Sequence, residues 1–145
     1  MAEVAFRNAI ATDHFLANRV EVTSAGTANW HVGSTMDPRA RSALDAAGLT
    51  LAGTPAAYAD TEYLNRQDLV IVMTREQMHD VNSRLTNQRT RVVMLRNLLQ
   101  PGQNLDVPDP YYGNLHDFVE CLGIIRAAGP HLTMGLRQRL GAGDL

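Results

Sequence analysis

The sequence predicts an α/β layered fold in which a small parallel sheet is flanked by helices, and two observations carry that prediction. Helical patterns alternate along the chain with short uninterrupted apolar runs at residues 69–73 and 92–95. Runs of that kind suit parallel strands buried on both faces, and their alternation with helices builds a doubly wound layer structure. At 145 residues the chain is long enough for one domain with a real core and too short for two ordinary ones, so residues 1–145 are read as a single domain.

Residues 2–11 place Ala2, Ala5, Phe6 and Ala9 at helical spacing, so the chain opens directly in helix. Residues 20–23 are a short strand candidate that ends in the small-residue turn Ser24-Ala25-Gly26-Thr27. Asp37 caps the next helix with Pro38 at its first position, Ala40, Ala43, Leu44 and Ala47 form its apolar stripe, and Gly48 stands where a C-terminal glycine belongs. Residues 49–60 are weakly patterned, and a short helix is expected from Thr61 to Arg66. After the first apolar run, Thr74-Arg75-Glu76-Gln77 opens a helix as a capping box, with Met78, Val81 and Leu85 on its buried side. Beyond the second run a loop leads to a C-terminal helical segment marked by Phe118, Leu122, Ile125, Leu132, Leu136 and Leu140, which Pro130 should kink or divide.

Composition narrows the function classes. A net charge of −2 gives no reason to expect nucleic acid or a membrane surface as partner, and no run approaches the roughly 18 apolar residues of a membrane span. Glu3 and the lack of a long apolar stretch at the start argue against a secretory leader, so a cytoplasmic protein is expected. All 13 basic residues are Arg, a bias in composition that also suits bidentate phosphate contacts. A single cysteine, Cys121, forms no internal disulfide and no zinc pattern. His14, His79, His116 and His131 lack ligand spacing, and no Gly-x-Gly-x-x-Gly or Walker-type loop is present, so no metal and no cofactor are expected.

The most specific stretch is Asp109-Pro110-Tyr111-Tyr112-Gly113. Pro110 fixes its own φ and pushes Asp109 out of the helical region, which holds a carboxyl group on an extended corner beside two aromatic rings. This pentapeptide, shortly before a long amphipathic helix, resembles the general-acid loop of the low-molecular-weight protein-tyrosine phosphatases. Val22-Thr23-Ser24-Ala25-Gly26-Thr27, Trp30-His31-Val32-Gly33 and Asp37-Pro38-Arg39 are similar to the second strand and substrate-side loop of the same family, residues 68–73 to its third strand and residues 91–95 to its fourth.

The resemblance implies phosphotyrosine or aryl phosphate hydrolysis, with Asp109 as proton donor to the tyrosyl oxygen and then as the base that activates water. It implies Trp30, Tyr111 and Tyr112 as substrate-side aromatics and Ser24 as the serine that shapes the phosphate loop. His31, beside Trp30, is either a tuner of substrate charge or a solvated loop residue. The implied partner is a phosphotyrosine protein or a small aryl phosphate. Asp106, the nearest rival carboxylate, lacks the following Pro-Tyr-Tyr and is read as structural.

The family's Cys-x5-Arg-Ser/Thr phosphate loop does not occur in these residues, and the opening Met1-Ala2-Glu3 resembles an internal position of the family just after that loop. The resemblance therefore implies an N-terminally incomplete member without the first strand and nucleophile loop, inactive as it stands. Cys121 and Arg126 spell only Cys-x4-Arg inside a helical pattern, and Cys121 shares a face with Phe118, Leu122 and Ile125, so it is read as core. The rival class is a pseudophosphatase or interaction module that binds through Trp30, Tyr111 and Tyr112. A thioredoxin-coupled arsenate reductase ranks last, since its chemistry needs several cysteines. With an interior strand lacking, the chain is expected to fold poorly, to fill the slot by oligomerisation, or to move residues 20–23 against residues 69–73.

Overall fold

The element order in the computed structural model is α1 (Ala2–Ala11), α2 (Pro38–Ala46), α3 (Thr61–Asn65), β1 (Leu69–Val72), α4 (Arg75–Arg84), β2 (Arg91–Met94) and α5 (Leu115–Arg139), with short 3-10 turns at Leu95–Leu98 and Pro110–Tyr112. The structure describes residues 1–29, 32–49, 52, 53 and 55–141. They form an α/β fold with a small parallel sheet, β1 pairing with β2 in the register Leu69↔Arg91 to Val72↔Met94.

The described chain gathers into two compact units. One holds α1, α2 and α5, and its core is helical: α5 packs on both α1 and α2 through the buried side chains of Phe118, Cys121, Leu122, Ile125, Ala128 and Leu132. On the facing helices Val4, Phe6, Ile10, Ala43 and Leu44 are buried. Asp13 ties the end of this unit's first stretch to its last helix, since its carboxylate accepts from Arg137 Nη1 at 2.8 and 3.0 Å and from the Phe15 and Leu16 amides at 3.0 Å each. Burial pushes the Asp13 carboxyl up, but the Leu16 amide and the Arg137 guanidinium outweigh it and hold the group below the usual carboxylate range.

The other unit holds α3, β1, α4 and β2 around a core of Ala59, Leu64, Val72, Val81 and Met94, with Met78, Leu85 and Val92 packed against it. Within the sheet only Val72 and Met94 are fully buried. The two runs pair in parallel as their sequence predicts, but they are not buried on both faces, because a two-stranded ladder offers few neighbours to cover its remaining positions.

Residues 20–23 do not form the expected strand, and β1 takes no partner but β2 among the described residues. A strand exists only as a ladder, and the pairing falls a turn later: the Gly26 amide donates to the Ala57 carbonyl at 2.8 Å and the Ala59 amide to the Gly26 carbonyl at 2.9 Å, a parallel bridge between Gly26 and Tyr58. The weakly patterned stretch before α3 supplies the partner that apolar periodicity could not point to.

Pro130 does not divide the last helix, which runs unbroken from Leu115 to Arg139. Pro130 and Arg126, the residue whose carbonyl loses its helical donor, both lie on the exposed face, open to solvent, while Ala128, Gly129 and Leu132 beside them are buried. Gly48 has φ +74°, as a glycine closing α2 should, and at Thr74 the hydroxyl accepts from the Gln77 amide at 3.1 Å. The Gln77 side chain reaches one residue further back than a strict capping box and accepts from the Met73 amide at 2.8 Å.

Candidate active site

Asp109 is exposed, at the end of a segment that is fastened to the sheet. The buried Val107 donates its amide to the Met73 carbonyl at 2.8 Å, directly beyond β1, so the segment is held at the carboxyl end of a parallel strand. Ligands of open α/β sheets sit at that end. Asp106 adds two ties: its Oδ1 accepts from the Arg75 amide at 2.9 Å and its carbonyl accepts from Arg96 Nη1 at 3.2 Å. The Arg75 amide belongs to the first turn of α4 and has no helical acceptor, so Asp106 satisfies it from outside.

On the other side of Asp109 the chain makes the single 3-10 turn Pro110–Tyr112, closed by the Gly113 amide donating to the Pro110 carbonyl at 2.8 Å. Tyr111 and Tyr112 meet edge to face with centroids 5.0 Å apart and planes at 88°. Tyr111 is 53% exposed and Tyr112 93%, so Tyr112 presents nearly its whole ring to solvent. Gly113 is required for space and not for an unusual φ: a Cβ there would overlap the Asp117 carboxylate, which accepts from the Asn114 amide at 2.9 Å in the capping box of α5.

The turn is held by Arg39, a residue that the sequence reading left without a role. Its Nη1 donates to the Gly113 carbonyl at 2.8 Å and its Nη2 to the Tyr111 carbonyl at 2.9 Å. The same guanidinium donates to Asp37 Oδ1 at 3.1 Å and Oδ2 at 2.8 Å, and it lies 4.5 Å over the buried Phe118 ring and 5.8 Å from the Tyr111 ring centroid. Asp37 also caps α2, accepting from the Arg39 amide at 2.8 Å. The Arg39 side-chain hydrogen bond, followed by its backbone amide, holds the Asp37 carboxyl below the usual range, and Asp37 in turn raises Arg39. Asp37-Pro38-Arg39 announces the cap, but the carbonyl partners of Arg39 lie 72 and 74 residues away, beyond any local pattern.

Ser24 is exposed and opens the turn that leads into the Gly26–Tyr58 bridge. That turn has its own arginine: Arg84 donates to the Thr27 carbonyl at 2.8 Å and the Ala59 carbonyl at 3.0 Å, and lies 5.3 Å from the Tyr58 ring centroid. Trp30 and His31 lie outside the described residues. Cys121 is buried on the inward face of α5, where the backbone amides are spent within the helix and form no cradle for a phosphoryl group.

A depression of about 330 Å³ lined by Arg7, Ile10, Val20 and Glu21 contains none of the predicted residues, and Arg7 already donates to the Val22 and Ala52 carbonyls at 2.9 Å each. Among the described residues no group of three or more His, Cys, Asp or Glu is placed to hold a metal ion, and no helix is long and apolar enough to cross a membrane.

Comparison with known proteins agrees with this arrangement of elements. A family model described as low molecular weight phosphotyrosine protein phosphatase matches residues 1–141. A low molecular weight protein-tyrosine-phosphatase of Streptomyces coelicolor is 34% identical over 144 residues, 97% of this chain and 87% of its own length. A low molecular weight protein-tyrosine phosphatase A of Mycobacterium tuberculosis is 41% identical over 127 residues, 86% of this chain and 76% of its own. Among solved structures, a protein tyrosine phosphatase from Entamoeba histolytica superposes with a TM-score of 0.83 over 94% of this chain and 87% of that one at 22% identity, which speaks for the fold. A low molecular weight protein tyrosine phosphatase from Bacillus subtilis superposes with a TM-score of 0.78 at 26% identity, over 94% and 87%. By sequence over nearly its whole length, the chain belongs to the low molecular weight phosphotyrosine protein phosphatase family.

Proposed function

We propose that this chain carries the proton-donating and aromatic side of a phosphotyrosine-hydrolysing site, with residues 1–145 as one phosphatase-like domain and Asp109 as its general acid. The observation behind the reading is the placement of Asp109, exposed between two fastened stretches of backbone and followed at once by two exposed tyrosine rings. In the reaction a thiolate attacks phosphorus, the bond from phosphorus to the aryl oxygen breaks, and Asp109 gives its proton to the departing phenolate. Water then attacks the phosphocysteine, Asp109 takes a proton from that water, and inorganic phosphate leaves with the thiolate restored. Trp30, Tyr111 and Tyr112 would flank the substrate ring, where aromatic contacts are worth about 0.5–1.5 kcal/mol beyond burial. Ser24 would brace the phosphate loop.

The thiolate of that scheme is not Cys121, which is buried in a helix. A positioned acid contributes about 10²–10⁴-fold, whereas phosphomonoester hydrolysis needs up to ~10²¹-fold acceleration, so these 145 residues are proposed to be inactive by themselves. A steady-state assay with an aryl phosphate tests this. The 145-residue chain should match the buffer rate, and the same chain preceded by a Cys-x5-Arg-Ser/Thr loop and its strand should turn over. Turnover by the 145-residue chain that Cys121→Ser abolishes would overturn the assignment.

One observation favours a second reading, an interaction module that binds a protein through its tyrosine turn: Tyr112 is 93% exposed. β1 also carries no second strand neighbour among the described residues, which supports oligomerisation through that edge as a further part of either reading. If a Cys-x5-Arg-Ser/Thr loop does not bring activity, the module reading is preferred.

A further inference from the structure

We infer that Arg39 is the positioning residue of the acid loop: by holding the Tyr111 and Gly113 carbonyls together it fixes the turn that Asp109 enters, and so sets where the proton is delivered. This rests on the proton-donor reading of Asp109. Pro110–Tyr112 is one short 3-10 turn closed by the Gly113 amide on the Pro110 carbonyl, and none of its three residues is buried. A turn of that length has little stability of its own, since fixing several backbone dihedrals yields few hydrogen bonds.

Arg39 supplies the rest from a distant part of the sequence. Two N–H groups of one rigid plane reach two carbonyls of the turn, at 2.8 and 2.9 Å, and the plane cannot swing because Asp37 holds its other edge and the Phe118 ring lies beneath it. Only a guanidinium has the donors and the planarity for this; an ammonium is a point charge with no fixed fork. Phe118 belongs to the buried face of α5 and Asp37 caps α2, so the clamp stands on rigid helices at both points. Reacting groups must be held to fractions of an ångström, because a displacement of about 1 Å can cost on the order of 10²-fold in rate.

The test uses Arg39→Met, which keeps a stem over Phe118 without donors, and Arg39→Lys, which keeps the charge beside Asp37 and is expected to fold if Arg39→Met does not. In the 145-residue chain, hydrogen exchange at the Gly113 amide should quicken by about tenfold in either variant, the size expected from losing hydrogen bonds to a charged donor, while the Leu122 amide inside α5 stays unchanged. In the chain preceded by a Cys-x5-Arg-Ser/Thr loop, both variants should lower kcat/KM, which reports phosphoryl transfer to the cysteine, for phenyl phosphate by roughly tenfold or more and leave 2,4-dinitrophenyl phosphate, whose leaving group needs no proton, nearly unaffected. Added to Asp109→Asn, they should cost nothing further.

Unchanged Gly113 exchange would overturn the clamp. Equal losses on both substrates would overturn the positioning role and leave Arg39 a structural residue. If Asp109→Asn itself leaves phenyl phosphate turnover unchanged, the proton-donor reading falls and the positioning role with it, while Gly113 exchange still decides whether Arg39 holds the turn.

Discussion

Before Asp109 the chain has one tie that is backbone at both ends, the Val107 amide to the Met73 carbonyl, with the Arg96 guanidinium on the Asp106 carbonyl and the Asp106 side chain on the Arg75 amide as supplements. After Asp109 the corresponding work falls to one side chain, Arg39, which holds two carbonyls of a solvent-exposed turn. Substitution cannot readily remove a backbone anchor, whereas a guanidinium can be removed by a single codon. The two flanks of one candidate acid therefore differ in how easily each can be undone, and that difference is what mutations should expose.

The largest effect should come from Phe118→Ala, because Phe118 is both core of the helical unit and the surface on which Arg39 rests. Truncating a buried Phe costs about 3–5 kcal/mol, to be read from urea unfolding, and the Gly113 amide should lose protection along with it. A smaller effect is expected on the other flank from Asp106→Ala, which frees the Arg75 amide at the start of α4. Loss of such a helix-terminal acceptor costs about 0.5–2 kcal/mol, and the Val107 amide should stay protected, because its bond to Met73 does not involve the removed carboxylate. Equal loss of protection at Val107 and Gly113 in both variants would erase the contrast.

The smallest effect is one of pH. The Asp37 carboxyl is held below its ordinary value of 3.8 by Arg39, so its contribution to stability is complete above that value and fades as pH falls through the lowered one. Asp13, also held low, fades in the same direction, so the wild type must be compared with Asp37→Asn and not with itself. The difference in urea midpoint between the two proteins should narrow as pH drops below 3.8. A difference that is flat across that range would mean Asp37 does not steady the clamp through its charge.

Much of this fold is legible in the sequence where local rules decide. The first helix opens where its apolar spacing predicts, α2 starts at the Pro38 that follows its Asp37 cap, and β1 and β2 lie within a residue of their apolar runs. Residues 20–23 are different: two valines in a short run look like a strand, but only a partner makes one, and the ladder formed at Gly26 and Tyr58 instead. Pro130 does not divide its helix, because the proline lies on the exposed face, and which face the ring occupies is set by packing that apolar periodicity does not weigh. In the candidate site, Asp109 and the tyrosines stand out because a rigid pentapeptide carries them. Arg39 does not, since its role exists only once two distant stretches have folded together.

The central claim, that Asp109 delivers the proton, is tested most directly by the leaving-group dependence of kcat/KM, which reports phosphoryl transfer to the cysteine and not the later hydrolysis, for Asp109→Asn in the chain preceded by a Cys-x5-Arg-Ser/Thr loop. The account predicts a loss of about 10²–10⁴-fold for phenyl phosphate that shrinks steadily as the leaving phenol becomes more acidic and all but vanishes for 2,4-dinitrophenyl phosphate. A loss of the same size across the whole series of phenols would contradict it.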